Sequence, residues 1–308
     1  MDREIWRSVV RAVDRACRAV KGPGRRPVYT NNLVAKLYLW SVWRNLSLSK
    51  ACDPERDQFN TLFRPRSLPS VSQFTRRVKS DALQEVLGHV HRQLLACGVA
   101  SEAGYFDGKA MAVSPVSKDP DAARGHVSGG YAKGYKLHAY VNDRRRIVVW
   151  SVTPLNTDEK VVAMELCDWL PPPPACGVAV DLADSNYDSA PLHKRLAQQD
   201  RLLLTPLRGQ DRVKRGPDGQ LQHHPVTLRQ MGPQRREAVE LWKGHADLAR
   251  YVLKMRNNVE GVFSVVTVAL GGGAPPPHVR RLHRVRRWVG AKIILYHARL
   301  AVQERLAA

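Results

Sequence analysis

Signals for membrane insertion or export are missing from this sequence. No apolar run is long enough to cross a bilayer, and the first residues, Met-Asp-Arg-Glu-Ile-Trp-Arg, carry charges where a signal peptide has its apolar core. These absences exclude the usual transmembrane and secreted classes. We therefore expect a soluble, cytoplasmic protein with no membrane partner.

Cysteine is scarce, and its spacing does not suit a metal site. No two cysteines form a Cys-x-x-Cys pair, and the two that flank the proline run 171–174 have no third or fourth ligand nearby. The five positions are Cys17, Cys52, Cys97, Cys167 and Cys176. The pattern argues against a zinc site and predicts reduced, mostly buried thiols.

Acidic residues are few relative to basic ones. The 308 residues include 49 lysines and arginines but only 28 aspartates and glutamates, which gives a formal net charge of +21 and a pI near 10.2. Clustered basic side chains gain affinity for a polyanion by releasing counterions from its phosphates. Nucleic acid is therefore the leading partner, although an excess of arginine across the whole proteome would give the same balance.

The first 100 residues have helical periodicity and no good strand. Apolar residues recur at three- and four-residue steps in 33–40 and again in 78–90. The proline-containing segment 63–70 separates them, so we predict a helix, a turn and a second helix, with Ser70 or Ser72 as the cap of the second.

That second helix, predicted to start at Gln73, has a basic face. Arg76 and Arg77 lie on it and are candidate contacts to a DNA groove or its phosphates. A basic surface without a specific role is an equally good interpretation.

From about residue 101 the pattern changes to strands and helices. The hairpin 135–152, with its turn at 142–145, is antiparallel by its alternation of apolar residues. The predicted order is β-β-β-α-β-α-β followed by a helix, which is an α/β fold with a mixed sheet and flanking helices. The elements are strands at 104–107, 135–141, 147–152, 178–184 and 202–205, and helices at 158–170 and 189–199.

Other segments fall outside this order. We expect 208–244, which contains His223 and His224, to be a small polar insertion, and 114–133 to be a glycine-rich loop that is either an ordinary surface loop or ordered by DNA. The basic amphipathic segment 278–308 is either a closing helix or a further phosphate contact. We predict two domains, a helical one at 1–100 and an α/β one at 101–308.

Carboxylates occur where this order places functional groups. Asp107 and Asp184 each end an apolar run that is typical of a buried strand, and Glu260 lies on a helix four residues after Arg256. Carboxylate oxygens are ligands that hard divalent cations prefer, and two such ions can neutralise both oxygens of a phosphodiester displacement. Asp181 competes with Asp184 for the second position.

Sequence pieces connect these residues to a known family. Tyr-Phe-Asp-Gly-Lys, Lys-Gly-Tyr-Lys-Leu-His, Ala-Asp-Ser-Asn-Tyr-Asp-Ser and Arg-Asn-Asn-Val-Glu-Gly-Val-Phe, in this order over about 101–300, resemble the DDE transposases of bacterial insertion sequences. In the family signature Tyr-x2-Arg-x3-Glu-x6-Lys, Arg256 and Glu260 match, while Leu253 and Thr267 stand at the tyrosine and lysine positions.

The resemblance implies a ribonuclease-H-like fold and an activity. Asp107, Asp184 and Glu260 would be the catalytic acids and would hold two Mg²⁺ or Mn²⁺ ions, and Lys136 and Arg256 would contact phosphates. The enzyme would cleave double-stranded DNA at terminal inverted repeats and join it to target DNA as a homodimer. The alternatives are a DNA-binding relative without catalysis and a structure-selective nuclease on the same fold.

Overall fold

The computed structural model divides the chain into a helical unit and an α/β unit. The helical unit comprises 1–97, 116–121 and 264–308, and the α/β unit comprises 98–115 and 122–263. The residues described are 2–20, 28–53, 67–96, 101–173, 179–206, 214–215, 217, 221–222 and 232–307.

The helical unit is built on amphipathic helices whose starts are capped by side chains. Its elements are α1 (Asp2–Ala19), α2 (Asn31–Trp43), α3 (Leu48–Ala51), α4 (Val71–Val78), α5 (Asp81–Leu95), a π-helix (Val265–Ala269) and α11 (Leu282–Ala307). Ser70 caps α4 and forms a capping box with Gln73, as the sequence allowed, so α4 begins at Val71 rather than at Gln73. No strand occurs in the described part of this unit.

The C-terminal helix is part of the core of this unit. α11 packs against α1, α2 and α5, and the apolar residues expected to pack, including Val285, Trp288 and Ile293, are buried. The unit boundaries therefore differ from the predicted division at residue 100, because α11 fills the space between the N-terminal helices. Periodicity alone could not reveal this, since a helical pattern does not indicate its partner.

A buried lysine joins α11 to the rest of the unit. The Lys292 ammonium is inaccessible to solvent and donates hydrogen bonds to the carbonyl oxygens of Val42 and Leu270 and to Oδ1 of Asn45. Burial lowers the pKa of Lys292 to about 8. All three donors of the ammonium are used, so one side chain holds the end of α2 and the end of the π-helix on α11.

The α/β unit contains a six-stranded mixed sheet. The strands are β1 (Ala103–Ala112), β2 (Ala123–Val127), β3 (Gly130–Asn142), β4 (Ile147–Pro154), β5 (Ala179–Leu182) and β6 (Arg201–Leu204). The order is β2-β3-β1-β5-β6, with β4 also paired to β3. β3 pairs antiparallel with β1, β2 and β4, whereas β5 lies parallel to β1 and β6 parallel to β5. The predicted α/β class, mixed sheet and hairpin are confirmed.

Helices flank the sheet and follow the strands in the predicted order. They are α6 (Glu159–Cys167), a 3₁₀ turn (Ser185–Tyr187), α7 (Ala190–Ala197), α8 (Pro233–Gly244), α9 (Ala246–Lys254) and α10 (Asn257–Ser264), and a short ladder joins β7 (Lys214–Arg215) to β8 (Leu221–Gln222). The core lies on the sheet face that carries Phe106 and Tyr140, where Val162 of α6 and Leu192 of α7 pack.

The segment 114–133 was wrongly predicted as a loop. It contains β2 and the start of β3, which pair as a hairpin from Ala123↔Gly134 to Val127↔Gly130. The turn has positive φ at Gly129 and Gly130, a conformation that glycine adopts without strain. The same glycines that suggested a loop therefore make the turn of a hairpin.

The predicted insertion at 208–244 is only partly described. Its last part is α8, which packs against α7 and β6, so this part belongs to the α/β unit rather than to a polar loop. His223 and His224 lie outside the described residues. Within the described ranges, no helix is long and apolar enough to cross a membrane.

Candidate functional site

Asp107 lies within a strand rather than at its end. β1 continues to Ala112, but its parallel partner β5 pairs only with Ala103, Gly104 and Tyr105. Asp107 is therefore in the part of β1 that extends past the carboxyl end of β5. The expectation that Asp107 ends its strand was wrong, because β1 continues and still pairs with β3 beyond this point. The expectation for Asp184 holds, since this residue follows the end of β5.

Asp184 follows β5 at the same edge of the sheet. Tyr105 pairs with Leu182, and Asp107 and Asp184 each lie two residues further along. Asp184 caps the 3₁₀ turn, since its Oδ1 accepts from the backbone N–H of Asn186 at 2.8 Å. The register therefore puts the two carboxylates at equivalent positions, where open sheets expose side chains to ligands.

Asp181 has a structural role in the core. It pairs with Gly104, so it points to the opposite face from residues that pair with Tyr105, because side chains alternate along a strand. It is fully buried, accepts from Tyr140 Oη at 2.7 Å and pairs with Arg201 at 3.0 Å. These contacts satisfy Asp181 and favour Asp184 as the functional residue.

Asp188 pairs with basic side chains rather than capping the helix that follows it. Ser189 is the N-cap residue of α7, and the Asp188 carboxylate instead pairs with Arg235 of α8 and with His193. Burial would raise the pKa of Asp188, but hydrogen bonds from His193 and Arg235 outweigh it and lower the pKa to about 2. The sequence could not show this because Arg235 is distant in the chain.

Arg256 joins the first acid to the third. It lies in the turn between α9 and α10, with Nη1 3.7 Å from Oδ2 of Asp107 and Nη2 3.6 Å from Oε1 of Glu260. The Glu260 side chain is 62% exposed, whereas that of Asp107 is only 16% exposed. One guanidinium thus lies within ion-pair distance of both carboxylates, as the i, i+4 spacing allows for Glu260.

The environment of Asp107 disfavours its ionised form. Burial raises the pKa of Asp107 to about 6, against the backbone N–H of Gly108 and the charge of Arg256, which lower it. The pKa value of about 6 already includes smaller raising contributions from the neighbouring charges of Asp184 and Glu159. Asp107 is thus a mostly buried carboxylate with two acidic neighbours and one nearby arginine, and such a shifted pKa is common at functional sites.

Glu159 is a carboxylate near this site that the sequence analysis missed. Its Oε1 accepts from Nζ of Lys136 at 2.8 Å, and both side chains are mostly buried. A Cβ on Gly108 would lie 2.9 Å from Glu159 Oε1 and 3.2 Å from Cδ of Lys136. The absent side chain at Gly108 makes room for this ion pair. In the sequence, the signal for Glu159 is its position as an acidic residue directly after the helix cap Asp158.

The candidate phosphate contacts are in different states. Lys136 is paired with Glu159 at 2.8 Å, whereas Arg256 lies 3.6 Å from Glu260 and 3.7 Å from Asp107. In the helical unit, Arg76 is exposed on α4, while Arg77 is half-buried and donates to Oδ1 of Asn31. Arg76 is therefore the one of this pair that is directly available to a partner.

The two aspartates have the donor chemistry of a divalent metal site. Carboxylate oxygens from Asp107 and Asp184 are suitable donors, and the raised pKa of Asp107 is what a cation would reverse. Within the ranges that the structure describes, however, no group of three or more His, Cys, Asp or Glu side chains is close enough to hold an ion. The donor chemistry fits, and Glu260 is held by Arg256 instead of meeting the two aspartates.

Comparison with known proteins places the chain in a family. A family model described as transposase DDE domain matches residues 101–296, which is more than half of the chain. The chain therefore belongs to the transposase DDE domain family, as the motifs had suggested.

No curated protein matches the chain. Among solved structures, a piggyBac transposase synaptic complex with hairpin DNA is similar at 10% identity and a TM-score of 0.35, covering 99% of this chain and 80% of that chain. At that TM-score, the likeness adds nothing to the assignment.

Proposed function

We propose that this protein is a DNA transposase that cleaves DNA at the ends of an insertion sequence and transfers the freed strand to target DNA. Family membership supports the class of reaction. The observation that supports the residue assignment is the position of Arg256, within 4 Å of both Asp107 and Glu260, because it brings side chains from distant parts of the chain close together.

In this proposal the three acids and two divalent ions, Mg²⁺ or Mn²⁺, form the catalytic centre on a ribonuclease-H-like fold. Asp107 and Asp184 would hold the ions at the sheet edge, and Glu260 would join them. When bound, the ions supply Lewis acidity and neutralise charge that develops on phosphate oxygens.

The reaction exchanges phosphate esters and needs no energy cofactor. Water attacks a phosphodiester at the element's end, which breaks one P–O bond and leaves a 3′-hydroxyl. That hydroxyl then attacks a target phosphodiester, so that one ester bond forms as another breaks. Arg256 would turn from Glu260 to the phosphate, because a guanidinium can donate two parallel hydrogen bonds to phosphate oxygens.

Further parts of the proposal concern partners and location. Terminal inverted repeats and target DNA would be the double-stranded substrates, and a homodimer would bring two ends together. Lys136, Arg76 and Arg77 would contact phosphates, and the helical residues 1–100 would supply DNA binding. The protein would act in the bacterial cytoplasm, on the nucleoid.

The test is Mg²⁺-dependent cleavage of a duplex that carries the element's inverted repeat. Wild type is compared with Asp107→Ala, Asp184→Ala and Glu260→Ala, with Glu165→Ala, an exposed acid on α6, as the control for lost negative charge. We expect each of the three site variants to lose cleavage by a factor of about 10³ or more while DNA binding persists. Full activity of Glu260→Ala would contradict its assignment.

A DNA-binding protein without catalysis is the second candidate. It is favoured by Leu253 and Thr267 at the signature's tyrosine and lysine positions and by the separation of Glu260 from the two aspartates. In that case neither wild type nor Glu165→Ala cuts the repeat duplex, although both bind it with strong salt dependence. Equal cutting of repeat-containing and random duplexes would instead indicate a structure-selective nuclease.

A further inference from the structure

The helical unit contains a cavity that is lined by several basic side chains. The cavity has a volume of about 280 Å³ and is enclosed by α2, α3, α4, the turn at 278–279 and the start of α11. Its cationic side chains are Lys79 from α4 and Arg284 and Arg287 from α11. Two elements that are some 200 residues apart in the chain thus direct positive charge to one space.

Among the described residues, no carboxylate pairs with Lys79, Arg284 or Arg287, although Arg281 nearby on the chain pairs with Asp121 at 3.1 Å. Arg287 is half-buried; burial lowers its pKa, the nearby Tyr38 opposes this, and the charge of Arg284 lowers it further. Two arginines that repel each other in a concave site are stabilised when an anion enters.

The rest of the lining indicates what the anion carries. Ser47 and Thr75 also line the cavity, and Val42, Val78 and Trp288 supply apolar surface. A bare phosphate would satisfy the cations and leave that apolar surface in contact with water. A phosphate attached to a group with an apolar face would cover both, in the usual manner of sites with a few polar groups on an apolar lining.

We infer that this cavity binds a nucleotide, whose phosphate lies against the three cationic side chains and whose base or sugar covers the apolar surface. The nucleotide is either free or a unit of a DNA strand. The inference rests on the proposed function only for the identity of this ligand, because the charge and the lining are properties of the helical unit itself. By this inference, the principal contacts of the helical unit to an anion are Arg284 and Arg287, and not Arg76 and Arg77 as the sequence analysis expected.

The binding test uses full-length protein without divalent metal. The probes are inorganic phosphate, deoxythymidine 5′-monophosphate, a short single-stranded oligonucleotide and a blunt duplex, measured by calorimetry and fluorescence anisotropy. Arg284→Gln and Arg287→Gln are compared with Arg305→Gln, which removes an equal charge from the exposed end of α11. We expect about a tenfold or greater loss of affinity in the first two and less than about twofold in the third.

Each pattern of results decides the inference. Loss confined to the cavity variants with the monophosphate supports a free nucleotide, and the same loss seen only with the oligonucleotide supports a unit of a strand. Equal losses in Arg287→Gln and Arg305→Gln for every probe would overturn the inference, as would a monophosphate or strand bound no more tightly than phosphate. Because cleavage is not measured, a protein that fails as a transposase can still pass.

Thermal stability separates binding from a structural role. Removing a half-buried, self-repelling cation relieves strain in the unliganded protein, so Arg287→Gln should melt at the wild-type temperature or above it. A melting temperature well below that of wild type, with unchanged nucleotide affinity, would mean that Arg287 stabilises the fold and that the cavity has no ligand of this kind.

Discussion

At the scale of the residue, Asp107 links stability to pH in a direction opposite to most acids. Its pKa of about 6 in the folded protein is above the value near 4 of an unfolded chain, so ionisation opposes folding. Its contribution is therefore fully present below about pH 4 and is lost as pH rises to about 6. The loss is of the order of 2–3 kcal/mol by the free energy of a two-unit shift.

The measurement is thermal unfolding between pH 4 and 7 without divalent ions, for wild type and Asp107→Asn. We expect the two proteins to unfold at similar temperatures near pH 4 and the asparagine variant to be more stable near pH 7. Asp188→Asn is an informative comparison, because the pKa of Asp188 is about 2 and its ionised form is stabilised by its partners. That variant should be less stable than wild type near pH 7, and parallel curves for Asp107→Asn and wild type would contradict the prediction.

Gly108 is the second residue with a specific consequence. Gly108→Ala adds a Cβ that would approach Glu159 Oε1 to 2.9 Å, so the Lys136–Glu159 pair must shift. We expect a loss of about 1–3 kcal/mol of stability, the usual cost of overpacking, and weaker cleavage. Gly244→Ala, where the added atom meets nothing within 4 Å, is the matched control and should be nearly neutral.

At the scale of the element, the start of α4 distinguishes two serines that the sequence left equivalent. Ser70 Oγ accepts from the backbone N–H of Gln73 at 3.3 Å, and Gln73 Oε1 accepts from the Ser70 N–H at 3.1 Å, whereas Ser72 is exposed within the helix. Ser70→Ala should cost about 1 kcal/mol of stability, and Ser72→Ala should cost little. Chemical denaturation of both variants measures the difference, and equal losses would contradict the capping role.

Elements with local signals were predictable, and those defined by distant partners were not. The hairpin of β3 and β4, the helix caps and the buried strand before Asp184 depend on neighbours in sequence, which residue pattern and turn chemistry reveal. β2 was missed because its glycines indicate a turn without indicating the strands on either side. Glu159 was missed because its partner Lys136 lies on another element and its space depends on Gly108.

The candidate site was predictable to the same extent. Spacing and motif identified Asp107, Asp184, Arg256 and Glu260 without identifying which of them meet. The register of β1 with β5 shows why Asp184, and not Asp181, lies at the position equivalent to Asp107. The contacts of Arg256 with the first and third acids become visible only in the folded chain. The assignment of these acids as catalytic stays a prediction until the cleavage experiment is done.

At the scale of the whole molecule, the helical unit is formed from both ends of the chain. α11 packs against α1, α2 and α5, and Lys292 on α11 donates to the carbonyl oxygens of Val42, near the end of α2, and of Leu270, just after the π-helix. The N-terminal helices therefore lack part of their core unless α11 is present. Sequence periodicity favoured a division at residue 100, because it reports the elements but not the long-range contacts that join them.

Lys292→Met tests whether α11 holds the N-terminal helices, because it replaces the ammonium group that bonds to α2 and to the end of the π-helix. The methionine keeps the length and apolar stem of lysine but leaves two buried carbonyls and the Asn45 amide oxygen without their donor. Unsatisfied buried acceptors cost about 1–3 kcal/mol each, and partial relaxation reduces the sum, so we expect a loss of about 3 kcal/mol. Arg305→Met on the exposed last turn of α11 controls for the loss of a basic residue from the same helix.

Limited proteolysis shows which helices are destabilised by Lys292→Met. Because Lys292 ties α2 to α11, cleavage of Lys292→Met should become faster at sites in α1 and α2 as well as in α11, while sites in β1 and β3 stay protected. The joint response of helices from opposite ends of the sequence follows from their shared core, and a division at residue 100 would instead confine the new cleavage sites to residues after 100. Cleavage limited to α11 would therefore contradict the unit boundaries observed here.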